Sequence, residues 1–393
     1  MKKLKLAVTI FFIVVSLINV LIPIYQNKVK FLEKFDPKLY EKKYNNSQYV
    51  IPQSRTPISD EELVSYAGYR YATGMNPVLI NSDHPPFGKY LIGWITILTG
   101  NNRIPSVIFG LANIIIIAAI IYFLTKSLFF SFMGVFFLSL DSMFIDQIIH
   151  SPILDIIQVF FILLYIFLFI IWIKKPSYLI LSANCLILGM LASIKLYFPA
   201  LLLLGTTSAY LILVKKSRKS IIVHILANAI GGFFTYTATY FIYFTNGNSF
   251  RNFLGTQKWI FLFWKNNSVQ SSQFIGDALT LVLFNQWKVW WGNKAYIQFE
   301  RWNILWPIFF LIGIGISLAV LWKYKKYVKI APARMLQSSV LFFSLWIFVV
   351  TVYLNLLPIS PRYLLILYFP IYILIPLMIQ LLVKSNMKFD VTK

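Results

Sequence analysis

Two short stretches of this chain carry most of its chemistry. Asn81-Ser-Asp-His-Pro-Pro-Phe-Gly-Lys-Tyr90 sets Asp83, His84 and Lys89 around two prolines and a glycine. Pro85-Pro86 suits the first turn of a helix. The amides at such a helix start, flanked by His84 and Lys89, make a site for an anion such as phosphate. Upstream, Ser59-Asp60-Glu61-Glu62 reads as a capping box, with Ser59 as N-cap and Glu62 three residues on. Successive helical residues point about 100° apart, so the three acids cannot share one cavity. Glu62 suits the cap. Asp60, beside the cap, is the first candidate for a carboxylate that takes a proton from a hydroxyl, and Glu61 is the second. Such acids also complement the helix dipole.

Further along, Asp155 opens an apolar run in HSPILDIIQVFF. A carboxylate there is costly unless it faces a polar cavity. Arg103, Lys195 and Arg362 each stand at a junction between apolar runs. A lysine at such a place snorkels readily, but three cations together suit an anionic lipid headgroup. Trp290 and Trp291 lie in a tryptophan-rich stretch. Aromatic residues belt membrane interfaces, and their flat faces also stack on sugars.

These residues are set in a very apolar chain. Of 393 residues, 59% are hydrophobic and only 12% charged, with mean hydropathy +0.72. A soluble domain carries about 25% charged residues, so the expected class is an all-α polytopic membrane protein. The net charge of +23 then reads as topology signal and contact with lipid headgroups, not as a nucleic-acid surface. Cys185 is the single cysteine, so no disulfide forms within the chain. No nucleotide-binding signature is present.

Apolar runs fall near 5–25, 104–125, 127–142, 154–173, 178–194, 196–214, 221–244, 304–322, 338–357 and 362–383, which predicts about ten spans. The N-terminal run is read as a retained span with its start inside. Short basic connections then fall inside at Lys126, Lys174-Lys175, Lys215–Lys219 and Lys323–Lys326, as the positive-inside rule requires. Residues 26–103 and 245–303 become two large outer segments, and every acid except Asp390 falls outside or at an outer span end. The stretch 87–100 is short for a span and predicts a helix along the outer interface. The whole of 1–393 is read as one membrane domain.

The order of these features resembles the GT-C glycosyltransferases, in particular the protein O-mannosyltransferase-like branch, family 39. Asp60-Glu61, then Ser82-Asp83-His84-Pro85-Pro86-Phe87-Gly88-Lys89, then Arg103, Leu154-Asp155, GMLASIK ending at Lys195, and Ser360-Pro-Arg-Tyr363 carry the likeness. It covers residues 55–200 best. His150 stands where that family often has an arginine, and Asp83 directly precedes the histidine.

The resemblance implies a polyprenyl-phosphate sugar as donor and a hydroxyl acceptor on a protein, lipid or glycan. It implies inverting transfer at the outer face, with Asp60 as base and Glu61 in reserve. His84, Lys89, Arg103, Lys195 and Arg362 would hold the donor phosphate, with Asp83 and Asp155 supporting them. Trp290 and Trp291 would stack on sugar or acceptor. No cofactor is required, and no metal is expected, although Asp60, Glu61 and Asp155 are the set that would share a divalent ion. The large soluble domain of eukaryotic mannosyltransferases is absent, which points to a prokaryotic plasma membrane. The alternative is a transporter or lipid flippase, whose charges belong near the bilayer midplane in a repeated architecture. The orientation is tested by single cysteines at Ser54 and Ser271, which should label from the same, non-cytoplasmic side; labelling from opposite sides refutes it.

Overall fold

A backbone in hydrocarbon must satisfy its own polar groups, so apolar runs of this length fold as helices. The computed structural model describes residues 2–150, 153–267, 274–289, 296–325, 327 and 335–389. The chain begins with α1 (Lys2–Gln26), α2 (Lys28–Leu32), α3 (Pro37–Asn45), α4 (Asp60–Ala72) and α5 (Phe87–Thr99). The bundle continues through α6 (Ile104–Thr125), α7 (Leu128–Ser139), α8 (Ser142–Ile149), α9 (Leu154–Lys174), α10 (Tyr178–Ala192), α11 (Phe198–Leu213) and α12 (Arg218–Ala238). The second long connection holds α13 (Phe241–Thr245), α14 (Phe250–Asn267), α15 (Asp277–Phe284) and a small antiparallel ladder of β1 (Trp287–Lys288) with β2 (Tyr296–Ile297). Then come α16 (Leu305–Trp322), α17 (Met335–Leu354), a 3-10 turn over Pro361–Leu364 and α18 (Leu365–Phe389). The chain is an all-α polytopic membrane protein apart from the two-residue ladder.

The expected ten spans differ in kind. Among the described residues, 7 helices are long and apolar enough to cross a membrane unaided. The run near 127–142 is instead broken, because Asp141 caps a new helix. Its Oδ1 accepts from the amides of Met143 (2.9 Å) and Phe144 (3.4 Å), and α7 and α8 meet at a 72° bend. Tyr372 on α18 holds the other carboxylate oxygen at 2.9 Å. The runs near 178–194 and 196–214 give helices of only 15 and 16 residues, because the chain leaves helix over 193–197 to make a turn that the site uses.

Helices α9 and α18 are the most enclosed. Residues such as Ile157, Tyr165, Phe169, Phe369, Tyr372 and Leu374 are almost completely buried in one apolar core.

Two close approaches position the first long segment. α4 crosses α5 at Gly68 and Gly93. A Cβ placed on Gly93 would lie 1.9 Å from the carbonyl oxygen of Gly68, and one on Gly68 would lie 2.6 Å from that of Lys89. Backbone cannot yield as a side chain can, so glycine lets the two helices touch. α4 starts as expected: the Glu62 amide donates to Ser59 Oγ at 3.3 Å and the Ser59 amide donates to Glu62 at 3.4 Å, with Lys43 2.5 Å from the same carboxylate. Gly93→Ala should therefore force α4 from α5 and cost about 1–3 kcal/mol, seen as a lower apparent melting temperature in detergent. An unchanged melting temperature would show that the crossing has slack.

Candidate active site

The site is assembled where the turn before α5, the first turn of α9, the 193–197 turn and the start of α18 meet. Gly88 makes the meeting possible. A Cβ there would sit 2.8 Å from Leu154 Cδ2 and 2.9 Å from the Ile194 carbonyl oxygen. The immediate neighbours of those two residues are Asp155 and Lys195. The amides of Phe87 and Gly88 both donate to the Ser193 carbonyl, at 2.9 and 3.4 Å. The start of α5 is thus clamped to the turn that carries Lys195.

This clamp corrects part of the sequence reading. The helix-start amides expected to bind an anion are already used by Ser193. Lys89 is fully buried, and its Nζ donates to the carbonyls of Asn81 (2.5 Å) and His84 (2.9 Å). It ties the 81–86 turn together instead of facing a ligand. Burial pulls its ammonium down to about 7, against the opposing pull of Asp83. Asn81 sits at φ +47°, a left-handed conformation that asparagine tolerates, and its side chain donates to Asp83 at 2.7 Å. Burial alone would raise the Asp83 carboxyl; His84 and Lys89 outweigh it and bring the group down to about 2. Asp83 lies 2.9 Å from His84 Nδ1, so it orients the histidine. Arg103 is also elsewhere. It stands before α6 with its guanidinium 3.9 Å from Glu33 and does not line the cavity described below.

The remaining charges form one continuous chain. Lys195 Nζ donates to Asp155 Oδ1 at 2.7 Å. Asp155 Oδ2 lies 3.4 Å from Arg362 Nε. Arg362 NH2 donates to Asp60 Oδ2 at 2.7 Å. Side-chain exposure is lowest at Asp155, 4%, with Lys195 at 13% and Arg362 at 18% on either side, and reaches 60% at Asp60. Asp155 Oδ2 and Arg362 Nε face each other, buried and without a hydrogen bond. The guanidinium thus takes Asp60. Among the described residues, no hydrogen bond or ion pair reaches the Glu61 carboxylate.

Beside this chain lies a cavity of about 530 Å³. His84, Asp155, Gln158 and Lys195 line it together with Phe198, Ile260, Trp264, Leu354 and Ile366. Its wall is mostly apolar, with His84, Asp155, Lys195 and Lys265 as its acidic and basic members, a mixture that suits an amphiphile with a charged head. Trp264, from α14 in the second long segment, donates its indole N–H to the Asp83 carbonyl at 2.8 Å. His84 meets its ring edge-on at 5.1 Å. The two long segments read as outer therefore touch.

Several contributors escaped the sequence reading. Lys195 Nζ stands 3.9 Å over the ring of Tyr363, a cation–π contact signalled only by Tyr363 following Arg362. Gln158 follows Asp155 by three residues on α9, one turn on. Tyr49 has its phenol pushed up to about 12 by burial, with Asp83 and Asp60 adding to the effect. Trp290 and Trp291 lie outside the described residues. Among the described residues, no three His, Cys, Asp or Glu side chains gather as a metal site would require; Asp60 and Asp155 are instead bridged through Arg362.

No family model matches the chain, and no curated protein does. The architecture is that of an all-α polytopic membrane protein. Among solved structures the chain is similar to ArnT from Cupriavidus metallidurans bound to undecaprenyl phosphate, with TM-score 0.53 and 14% identity over 81% of this chain. The match spans 55% of that chain's length, and at that identity it is a likeness of fold.

Asp155 is the only carboxylate touching both Lys195 and Arg362 among the described residues. Asp155→Asn should therefore leave Lys195 without its carboxylate and Arg362 with Asp60 alone, and cost about 3 kcal/mol or more, read as a lower apparent melting temperature. Adding Lys195→Met should recover part of the loss; no recovery would mean that Asp155 stabilises the fold by some other contact.

Proposed function

We propose that this chain is a membrane glycosyltransferase that moves a sugar from a polyprenyl-phosphate donor to a hydroxyl acceptor, with inversion, at the extracytoplasmic face. The observation that carries this reading is the charge chain leading from the apolar cavity, at Lys195 and Asp155, to the exposed carboxylate of Asp60. A polyprenyl phosphate has the same two-part character, an apolar chain ending in an anion. The likeness of fold to ArnT and the undecaprenyl phosphate bound to that neighbour agree with it. The distribution of basic connections supports the orientation. A protein O-mannosyltransferase-like specificity follows from the motif resemblance, with a protein, lipid or glycan as acceptor.

The chemistry follows from the placement of charges. Lys195 and Arg362 hold the donor phosphate, and His84 borders it. The acceptor approaches on the side of Asp60. Asp60 takes the hydroxyl proton as the acceptor oxygen bonds to the anomeric carbon from the face opposite the phosphate. The bond from that carbon to the phosphate oxygen breaks, and polyprenyl phosphate leaves with the electron pair. Its new charge falls on the two cations, which stabilise it as it develops. A phosphate is a good leaving group, so a single carboxylate suffices.

The reading is tested by supplying the purified full chain with labelled polyprenyl-phosphate sugars and following their consumption. Asp60→Asn should lower turnover by about 10²–10⁴-fold. If Asp60→Asn works at the parental rate while Glu61→Gln is inactive, the base is Glu61. Full activity in both variants refutes the carboxylate mechanism.

A further inference from the structure

Resting on that functional reading, we propose that Asp60 and the donor phosphate compete for Arg362, so that donor binding itself releases the base. The charge chain consists of two carboxylates and two cations and is neutral as a whole. Each cation is already engaged. Arg362 bonds Asp60 and faces Asp155; Lys195 bonds Asp155 and lies over the Tyr363 ring. An incoming anion gains little from such a cluster unless it displaces one of the carboxylates.

Only one of them can leave. Asp155 is 4% exposed and touches both cations. Freed from them it would be a bare charge without water, which is prohibitive. Asp60 is 60% exposed and held by a single guanidinium nitrogen. Water solvates it readily, and exposed pairs of this kind are weak. The phosphate therefore takes the place of Asp60 on the outer nitrogen of Arg362, while Asp155 continues to hold the two cations together.

The displaced carboxylate stays at the first turn of α4, kept there by the Ser59–Glu62 capping box. It now stands beside the donor with both oxygens available to an acceptor hydroxyl. The base is occupied in the empty enzyme and freed in the loaded one, so the donor binds before the acceptor becomes reactive.

This predicts an effect opposite to the usual loss on removing an active-site group. Undecaprenyl phosphate binding is measured on the full chain in nanodiscs, for the parent, Asp60→Asn, Asp60→Ser and Glu41→Gln. Both Asp60 variants should bind about three- to tenfold more tightly than the parent. Glu41→Gln removes the same charge from the same segment without touching Arg362 and should bind as the parent does. Equal or weaker binding by the Asp60 variants overturns the competition, as does equal tightening in Glu41→Gln, which would show a general charge effect. If the parent binds no undecaprenyl phosphate at all, the glycosyltransferase reading falls and the inference falls with it.

Discussion

The site depends on one buried carboxylate. Lys195 and Arg362 come from turns far apart in sequence, and both are largely shielded from water. Two such cations would repel one another strongly at low dielectric. Asp155 lies between them at 2.7 and 3.4 Å and turns that repulsion into attraction. Because it opens α9, the most central helix along with α18, the charge pair is referenced to the rigid middle of the bundle. The exposed end of the chain, at Asp60, has no such anchor in the core. Shielding from water thus falls away from Asp155 through Arg362 to Asp60.

Around that axis the first long segment acts as a bracket. α4 brings Asp60, and α5 brings the turn with His84. The two are locked by the Gly68–Gly93 crossing and clamped to the 193–197 turn through Ser193. Ser193 also shares a 2.6 Å hydrogen bond with Thr239 beyond α12. The second long segment closes the bracket from the other side, where Trp264 meets the Asp83 carbonyl. Most polar groups of the HPPFGK turn thereby serve structure, leaving His84 to face the cavity.

Much of this was legible in the sequence. Long apolar runs and short basic connections identified a polytopic helical protein. Ser59 and Glu62 marked the start of α4, and Asp60, His84, Asp155, Lys195 and Arg362 were grouped as one candidate site by the motif resemblance. What misled was local plausibility. Lys89 and Arg103 look like phosphate ligands because charge is visible in a sequence and burial is not. Lys89 is consumed by two carbonyls of its own turn, and Arg103 by proximity to Glu33. The 127–142 run looked like a span because its apolar length was visible, whereas the cap at Asp141 that breaks it needed Tyr372 from the far end of the chain. Tyr363 was visible only as the residue after Arg362, and Trp264 gave no signal, since a tryptophan at a membrane interface is ordinary.

Gly88 has a further bearing on how such a chain can change over time. Its missing side chain is the space in which Leu154 and Ile194 come against the α5 start. An alanine there collides first with the end of the Leu154 side chain, which can shrink, and next with the Ile194 carbonyl, which cannot. Ile194 adds its side-chain Cγ2 at 3.0 Å, so positions 88, 154 and 194 share one volume. Smaller residues at 154 or 194 clear the side-chain contacts and leave the carbonyl in place. Variation among relatives of this protein should accordingly keep glycine at 88 whatever stands at 154 and 194.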